Sequence, residues 1–265
     1  MNMDILGYFN RVKKYFLKGI SLAYFRVCKE YRKNQKALLE IKNRHQGSRA
    51  FIICNGPSLR PEDLDKIKEN GDISFACNKI DKIFGKCKWR PTYYAVLDET
   101  YQFSLLKTMN EMPAEIKFFR RESYWKTRNV LGDKLFLNTI GSKKLLKDCK
   151  FSDDCSTQLY TIATTTYSLF QLAVYMGVKE LYIIGCDNSY AREIGKDGKI
   201  QNTGHASYFA GSDPKGETIA VSTWQMNVAY EYASKYAKEH GFNIYNATRG
   251  GYLEAFERVD FDKLF

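Results

Sequence analysis

The sequence predicts an α/β protein with a doubly wound, mostly parallel sheet and an N-terminal helical arm. Short apolar runs of strand length alternate with helix-periodic segments from about residue 49 to residue 245, as a parallel sheet with crossover helices requires. Several runs are apolar throughout, which suits strands buried on both faces. Many also end in short polar turns, and open sheets of this kind bind ligands at the carboxyl ends of their strands.

Residues 1–46 read as one or two helices, with Ile5, Phe9, Val12, Phe16 and Ile20 at helical spacing and Arg11, Lys13, Lys14 and Lys18 between them. A basic amphipathic helix of this type suits an anionic membrane surface. It equally suits packing on the core or on a second subunit in a homo-oligomer, and the pattern leaves these open. Gln46-Gly47-Ser48 marks a boundary, so the predicted units are an arm over 1–46 and an α/β domain over 47–265.

Residues 49–54 (R-A-F-I-I-C) form the first buried strand, and 62–69 a helix with Pro61 in its first turn. Strands follow at 73–76 and 91–96, a helix at 99–110, and short strands at 116–119 and 134–137. A strongly apolar helix is expected over 166–176 and a central strand over 180–184 (E-L-Y-I-I). A long helix over 224–240 stops at Gly241, and 243–245 gives a last strand. The stretch 186–222 lacks periodicity and is long for a loop, so it reads as a lid.

At 265 residues, with 44% hydrophobic and 15% aromatic residues, the chain can bury a sizeable core. Seven cysteines without a Cys-x-x-Cys pair, and only three histidines, argue against a structural zinc site. Charges interrupt every apolar stretch of the N-terminus, so no signal peptide or membrane span is expected, and the location read from this is cytoplasmic. Of the net charge of +11, residues 1–46 carry eleven Lys/Arg against three Asp/Glu, or +8, leaving +3 for the rest. A nucleic-acid groove would spread its basic residues over the folded domain, so no nucleic-acid partner is expected.

The sharpest local signal is I-I-C-N-G-P-S-L over 52–59, directly after the first strand. Gly56 permits close backbone approach, Pro57 stiffens the turn, and Asn55 and Ser58 offer short polar side chains. Such a turn can hold a phosphate or a nucleobase edge, or it can be a plain tight turn. It is neither a G-x-G-x-x-G nor a Walker loop. Asn78 follows the second strand, Asp98 the third and Asp187 the central one, so polar residues recur along one rim. Thr164, Thr165 and Thr166 precede the apolar helix, where one hydroxyl serves as N-cap and the others are free for a ligand. His205 lies in the polar part of the lid and is suited to general-base work, with Tyr190 and Tyr208 nearby as donors to a leaving phosphate.

These stretches, with F-A-C-N-K-I (75–80), the run A-T-T-T-Y-S-L-F-Q-L-A-V-Y-M-G-V-K-E-L-Y-I-I-G-C-D (163–187) and I-Y-N-A-T-R-G-G-Y-L-E-A-F (244–256), resemble the bacterial sialyltransferases of glycosyltransferase family 42. They are also similar to the 6-hydroxymethylpterin diphosphokinase MptE-like family (domain of unknown function 115), to which the 244–256 stretch is closer. The resemblance implies a Rossmann-like, GT-A-like sheet that binds a CMP-activated sugar without a metal or other cofactor. By it, Asn55 and Asn78 contact the nucleotide, Thr164 to Thr166 stand for a Thr-Ser-Gly turn, and His205 deprotonates the acceptor. Tyr190 is near the family's phosphate-assisting tyrosines but out of register. The chain departs from the pattern at Ile162, where the family has arginine, and at Thr166, where it has glycine.

The leading expectation is an inverting, metal-independent glycosyltransferase that moves sialic acid or a related acid sugar from a CMP-linked donor to a hydroxyl of a surface glycan or glycolipid. Residues 1–46 would then rest on the inner face of the cytoplasmic membrane. Mg²⁺-dependent transfer from ATP, with Asp98 and Asp187 as carboxylates, is the second expectation. A non-catalytic nucleotide-binding, membrane-tethered module is the third.

Overall fold

The structure is a computed structural model that describes residues 5–27, 29–98, 104–141, 143–209 and 219–265. Two helices open the chain, α1 (Ile5–Val27) and α2 (Lys29–Glu40), followed by β1 (Arg49–Ile53), α3 (Pro61–Glu69), β2 (Ile73–Cys77) and β3 (Tyr93–Val96). Next come α4 (Leu106–Glu111), β4 (Ile116–Arg120), α5 (Tyr124–Thr127), β5 (Lys134–Leu137) and two short strands, β6 (Thr139–Ile140) and β7 (Leu159–Tyr160). The last third holds α6 (Thr165–Tyr175), β8 (Glu180–Ile184), β9 (Arg192–Ile194), β10 (Ile200–Asn202), α7 (Thr223–His240), β11 (Asn243–Asn246) and β12 (Glu257–Arg258). The helix expected over 99–110 begins only at Leu106, and 99–103 lie outside the described residues.

Eight strands form one sheet in the order β12-β11-β8-β1-β2-β3-β4-β5, and every pairing in it is parallel. From β1 the chain steps outward through β2, β3, β4 and β5. It then returns to β8 on the other side of β1 and continues through β11 to β12. The direction of winding therefore reverses between β1 and β8, which is where a doubly wound sheet opens a crevice at its carboxyl edge.

The two faces of β1 explain its apolar run. Ala50, Ile52 and Cys54 belong to one core with α6 and α7, and Phe51 and Ile53 to the other with α3 and the end of α1. The two-residue period of a strand sends alternate side chains to opposite faces, so a strand covered on both sides needs an apolar residue at every position. α6 is buried almost all round, which fits its uniformly apolar sequence.

The arm is joined to the body through its second half. Phe25, Leu38 and Ile41 are buried in the cores. Asn34 of α2 reaches the outermost strand, donating its amide to the Phe136 carbonyl at 3.0 Å and accepting the Phe136 N–H at 2.7 Å. One side chain thus satisfies both backbone groups of an edge-strand residue, a way of covering an edge that would otherwise be open to pairing.

Candidate functional site

At the carboxyl ends of β1, β2, β3 and β8 lies a cavity of about 350 Å³. Its lining includes Asn55, Gly56, Asn78, Asp98, Thr164, Thr165, Thr166, Asp187, Tyr190 and Tyr208, so the strand-end residues picked out in the sequence share one space. Pro57, Ser58 and His205 are not in the lining.

The turn after β1 is held by Asp187. Its Oδ2 accepts the Ser58 N–H at 3.2 Å and the Ser58 hydroxyl at 2.9 Å. Gly56 is required here, since a Cβ on it would run into the Asp187 carboxylate and stand 2.6 Å from the Gly185 carbonyl oxygen. Gly251, at a φ of +73°, closes on the same residue from the other side, and a Cβ there would sit 2.8 Å from the Asp187 Cα. Burial pushes the Asp187 carboxyl up from the ordinary aspartate range, against the pull of the Ser58 hydrogen bonds. Ser58 therefore acts on the cavity through Asp187, and Pro57 is exposed on the outer side of the turn.

The asparagines are set by the backbone. Asn55 donates its amide to the Cys77 carbonyl at 3.1 Å, which ties the end of β1 to the end of β2. Asn78 sits in the left-handed region at a φ of 55°, and its carbonyl accepts the Tyr94 hydroxyl at 2.6 Å. Asn188, at a φ of 54°, donates to the Asn227 amide oxygen at 2.7 Å. The side-chain oxygens of Asn55, Asn78 and Asn188 are all buried without a hydrogen-bond partner, and all three residues line the cavity. Unpaired buried acceptors cost about 1–3 kcal/mol each, so their clustering at one cavity points to a donor-bearing ligand.

Two helices begin at the cavity. Thr164 caps α6, its hydroxyl accepting the Thr166 N–H at 3.3 Å, and the Thr166 hydroxyl lies 3.3 Å from the Cys54 sulfur. Ser222, ahead of α7, lines the opposite side with Gln225 and Met226. Helix N-termini present free N–H groups and a partial positive charge, the natural seat of a phosphate. The lining contains two carboxylates, Asp98 and Asp187, and no Lys, Arg or His among the described residues. The floor is formed by Cys54, Cys77 and Cys186. Burial pushes the Cys77 thiol up to about 12, so it stays protonated.

The stretch 186–222, expected from the sequence to be a lid, contains an antiparallel pair, β9 with β10, that the sequence reading did not foresee, and residues 210–218 lie outside the described residues. Its returning end docks on the first turn, where the Phe209 N–H donates to the Asn55 carbonyl at 3.1 Å. Tyr190 lines the cavity with its hydroxyl 3.5 Å from the Met226 sulfur, and burial pushes its phenol well above the usual value, leaving it a hydrogen-bond donor. Tyr208 lies beneath the Lys79 ammonium, 5.6 Å from the ring centroid. His205 is exposed, its ring 5.4 Å from that of Tyr252, two residues before the cavity-lining Ser207.

Sequence reading missed Ala163 and Asn188. Ala163 lines the cavity at a φ of 56°, a conformation that alanine rarely adopts and no residue pattern announces. Asn188 had a usable signal, since asparagine is the non-glycine residue that best tolerates that region.

Comparison with known proteins agrees with this frame. Among solved structures the chain is similar to the MAf glycosyltransferase from Magnetospirillum magneticum AMB-1, with a TM-score of 0.54 and 17% identity over 88% of this chain and 39% of that one. At that identity the likeness shows the fold, and the chain spans about two fifths of the other's length. No curated protein matches. A family model described as 6-hydroxymethylpterin diphosphokinase MptE-like matches residues 25–193, from the buried end of α1 through six of the sheet's eight strands into β9. That match takes in well over half of the chain and all three cysteines of the cavity floor, and it places this protein in the MptE-like family.

Proposed function

We propose that the protein is a transferase that holds a nucleotide-activated donor in the cavity at the β1–β8 switch point and passes the donor's group to a hydroxyl acceptor. The observation that carries this reading is the meeting of two helix N-termini at one cavity whose lining includes three asparagines with buried, unpaired side-chain oxygens. The helix ends suit phosphate, and the amide oxygens suit the N–H groups of a nucleobase.

Within this reading the donor is a CMP-linked acid sugar, and the reaction is an inverting, metal-independent glycosyl transfer. The family 42 resemblance supports it, as does the fold shared with a glycosyltransferase. Tyr190 and the α6 N-terminus would stabilise the departing phosphate, an electrostatic contribution of the kind that dominates such steps. His205, exposed beside Tyr252 and outside the cavity lining, would take the acceptor proton. Replacing it, His205→Ala, is expected to leave nucleotide affinity intact and lower turnover by about 10²–10⁴-fold. Full turnover in that variant would remove His205 from the reaction.

A second reading, Mg²⁺-dependent diphosphoryl transfer from ATP, is favoured by one observation. Asp98 and Asp187 face a site with no basic side chain in its described lining, and phosphates beside two carboxylates call for a cation. Thermal unfolding with CMP, UDP, GDP and ATP, each with and without Mg²⁺, separates the two. A rise in Tm with CMP in EDTA supports the first. A rise that needs ATP and Mg²⁺ together supports the second. The absence of any shift would defeat both and leave a non-catalytic module.

A further inference from the structure

α1 is anchored at one end and bare along one side. Near its C-terminus, Phe25 packs on Tyr124 and Phe136 with ring centroids 4.7 and 5.5 Å apart, and the Ser21 hydroxyl accepts the Trp125 N–H at 3.3 Å. The opposite side carries Val12, Phe16, Leu17, Ile20, Tyr24 and Val27, exposed from 41% at Tyr24 to 84% at Val27. At about 100° per residue, these six fall within a sector of roughly 140° that faces away from Ser21 and Phe25. Trp125, half exposed and 4.8 Å from the Tyr24 ring, extends the apolar surface onto the body.

The charge on this helix has one sign. Arg11, Lys13, Lys14, Lys18 and Arg26 lie within α1, and no Asp or Glu does. Among the described residues no helix is long and apolar enough to cross a membrane. We propose that the bare side of α1 docks on an anionic lipid leaflet, with the helix lying in the interfacial plane and Tyr24 and Trp125 at the headgroup level.

Charge decides between a lipid surface and a second copy of the chain. Lys13 falls inside the apolar sector, between Ile20 and Tyr24 on the helix circumference. Pairing this face with its own copy would bury Lys13 of each helix among apolar side chains, with no carboxylate on α1 to pair it. At a bilayer, the same lysine extends its stem along the apolar surface and places its ammonium among lipid phosphates.

Co-sedimentation of the full chain with vesicles tests this, using phosphatidylcholine alone and phosphatidylcholine with phosphatidylglycerol. Binding is expected only with the anionic lipid and should weaken as salt rises. Phe16→Ser with Ile20→Ser should lower partitioning by at least about tenfold, and so should Lys13→Glu with Lys18→Glu. Circular dichroism and Tm unchanged from the parent would show that both variants are folded. The idea is overturned by equal binding to neutral vesicles, by no binding to either, or by variants that bind like the parent. It is also overturned if light scattering shows a dimer that the apolar variant dissociates while vesicles recruit nothing.

Discussion

Gly56 sits where two demands meet. The sequence motif marks it as a place for backbone to approach a ligand, and the structure adds an approach to the Asp187 carboxylate, 129 residues further along the chain from Ser58. Gly56→Ala is therefore expected to cost about 1–3 kcal/mol through overpacking and to displace the turn, so that Tm falls and nucleotide-induced stabilisation is lost together. A variant with parental Tm and parental nucleotide response would contradict that geometry. Asp187 offers a test in pH. Its carboxyl keeps a proton to higher pH when folded than when unfolded, so the folded state holds the extra proton between the ordinary aspartate value and the raised one. The stability it contributes is present at acid pH and declines as pH rises through that window. Asp187→Asn retains an oxygen for Ser58 and does not titrate. Its Tm relative to the parent should thus improve as pH rises from the ordinary aspartate value of about 3.9 through the raised one, and a difference independent of pH would refute the sign.

At the scale of elements, legibility followed burial. β8 is where its apolar run places it, and β1 and α7 lie within one residue of the expected ranges, because uniform apolar content and a glycine stop are local signals. The β9–β10 pair was not legible, since its residues are exposed or half exposed and carry no alternation. The cavity's rim was read from polar residues at strand ends, whereas its closure by Ser222, Gln225 and Tyr230 of the α7 region depends on tertiary placement. The contact between α2 and β5 belongs to the same class, for Asn34 and Phe136 are 102 residues apart. Asn34→Ala would leave the buried N–H of Phe136 without its partner and its C=O with only the Arg121 Nε–H at 3.4 Å, at about 1–3 kcal/mol for the unpaired group. Chemical denaturation should show the loss as a lower midpoint, and amide exchange should show it at Phe136 first. Parental protection at that amide would mean that the clamp does not form.

For the molecule as a whole, the arm is part of the folding unit. Phe25, Leu38 and Ile41 are each buried to 1% exposure or less. Removing residues 1–46 would forfeit about 1.5–3 kcal/mol for each of the three, or roughly 5–9 kcal/mol, as much as many domains possess. A chain starting at Gly47 is expected to lack a cooperative thermal transition, and a parental transition would show the arm to be dispensable. The same contact also sets an order of events at the ribosome. The Asn34 side emerges 102 residues before the strand it must clasp. At a synthesis rate of about 5–20 residues per second, the nascent arm spends on the order of 5–20 seconds without its intramolecular partner. For that interval, whatever surface lies nearest the exit tunnel has first access to a cationic, aromatic-rich helix.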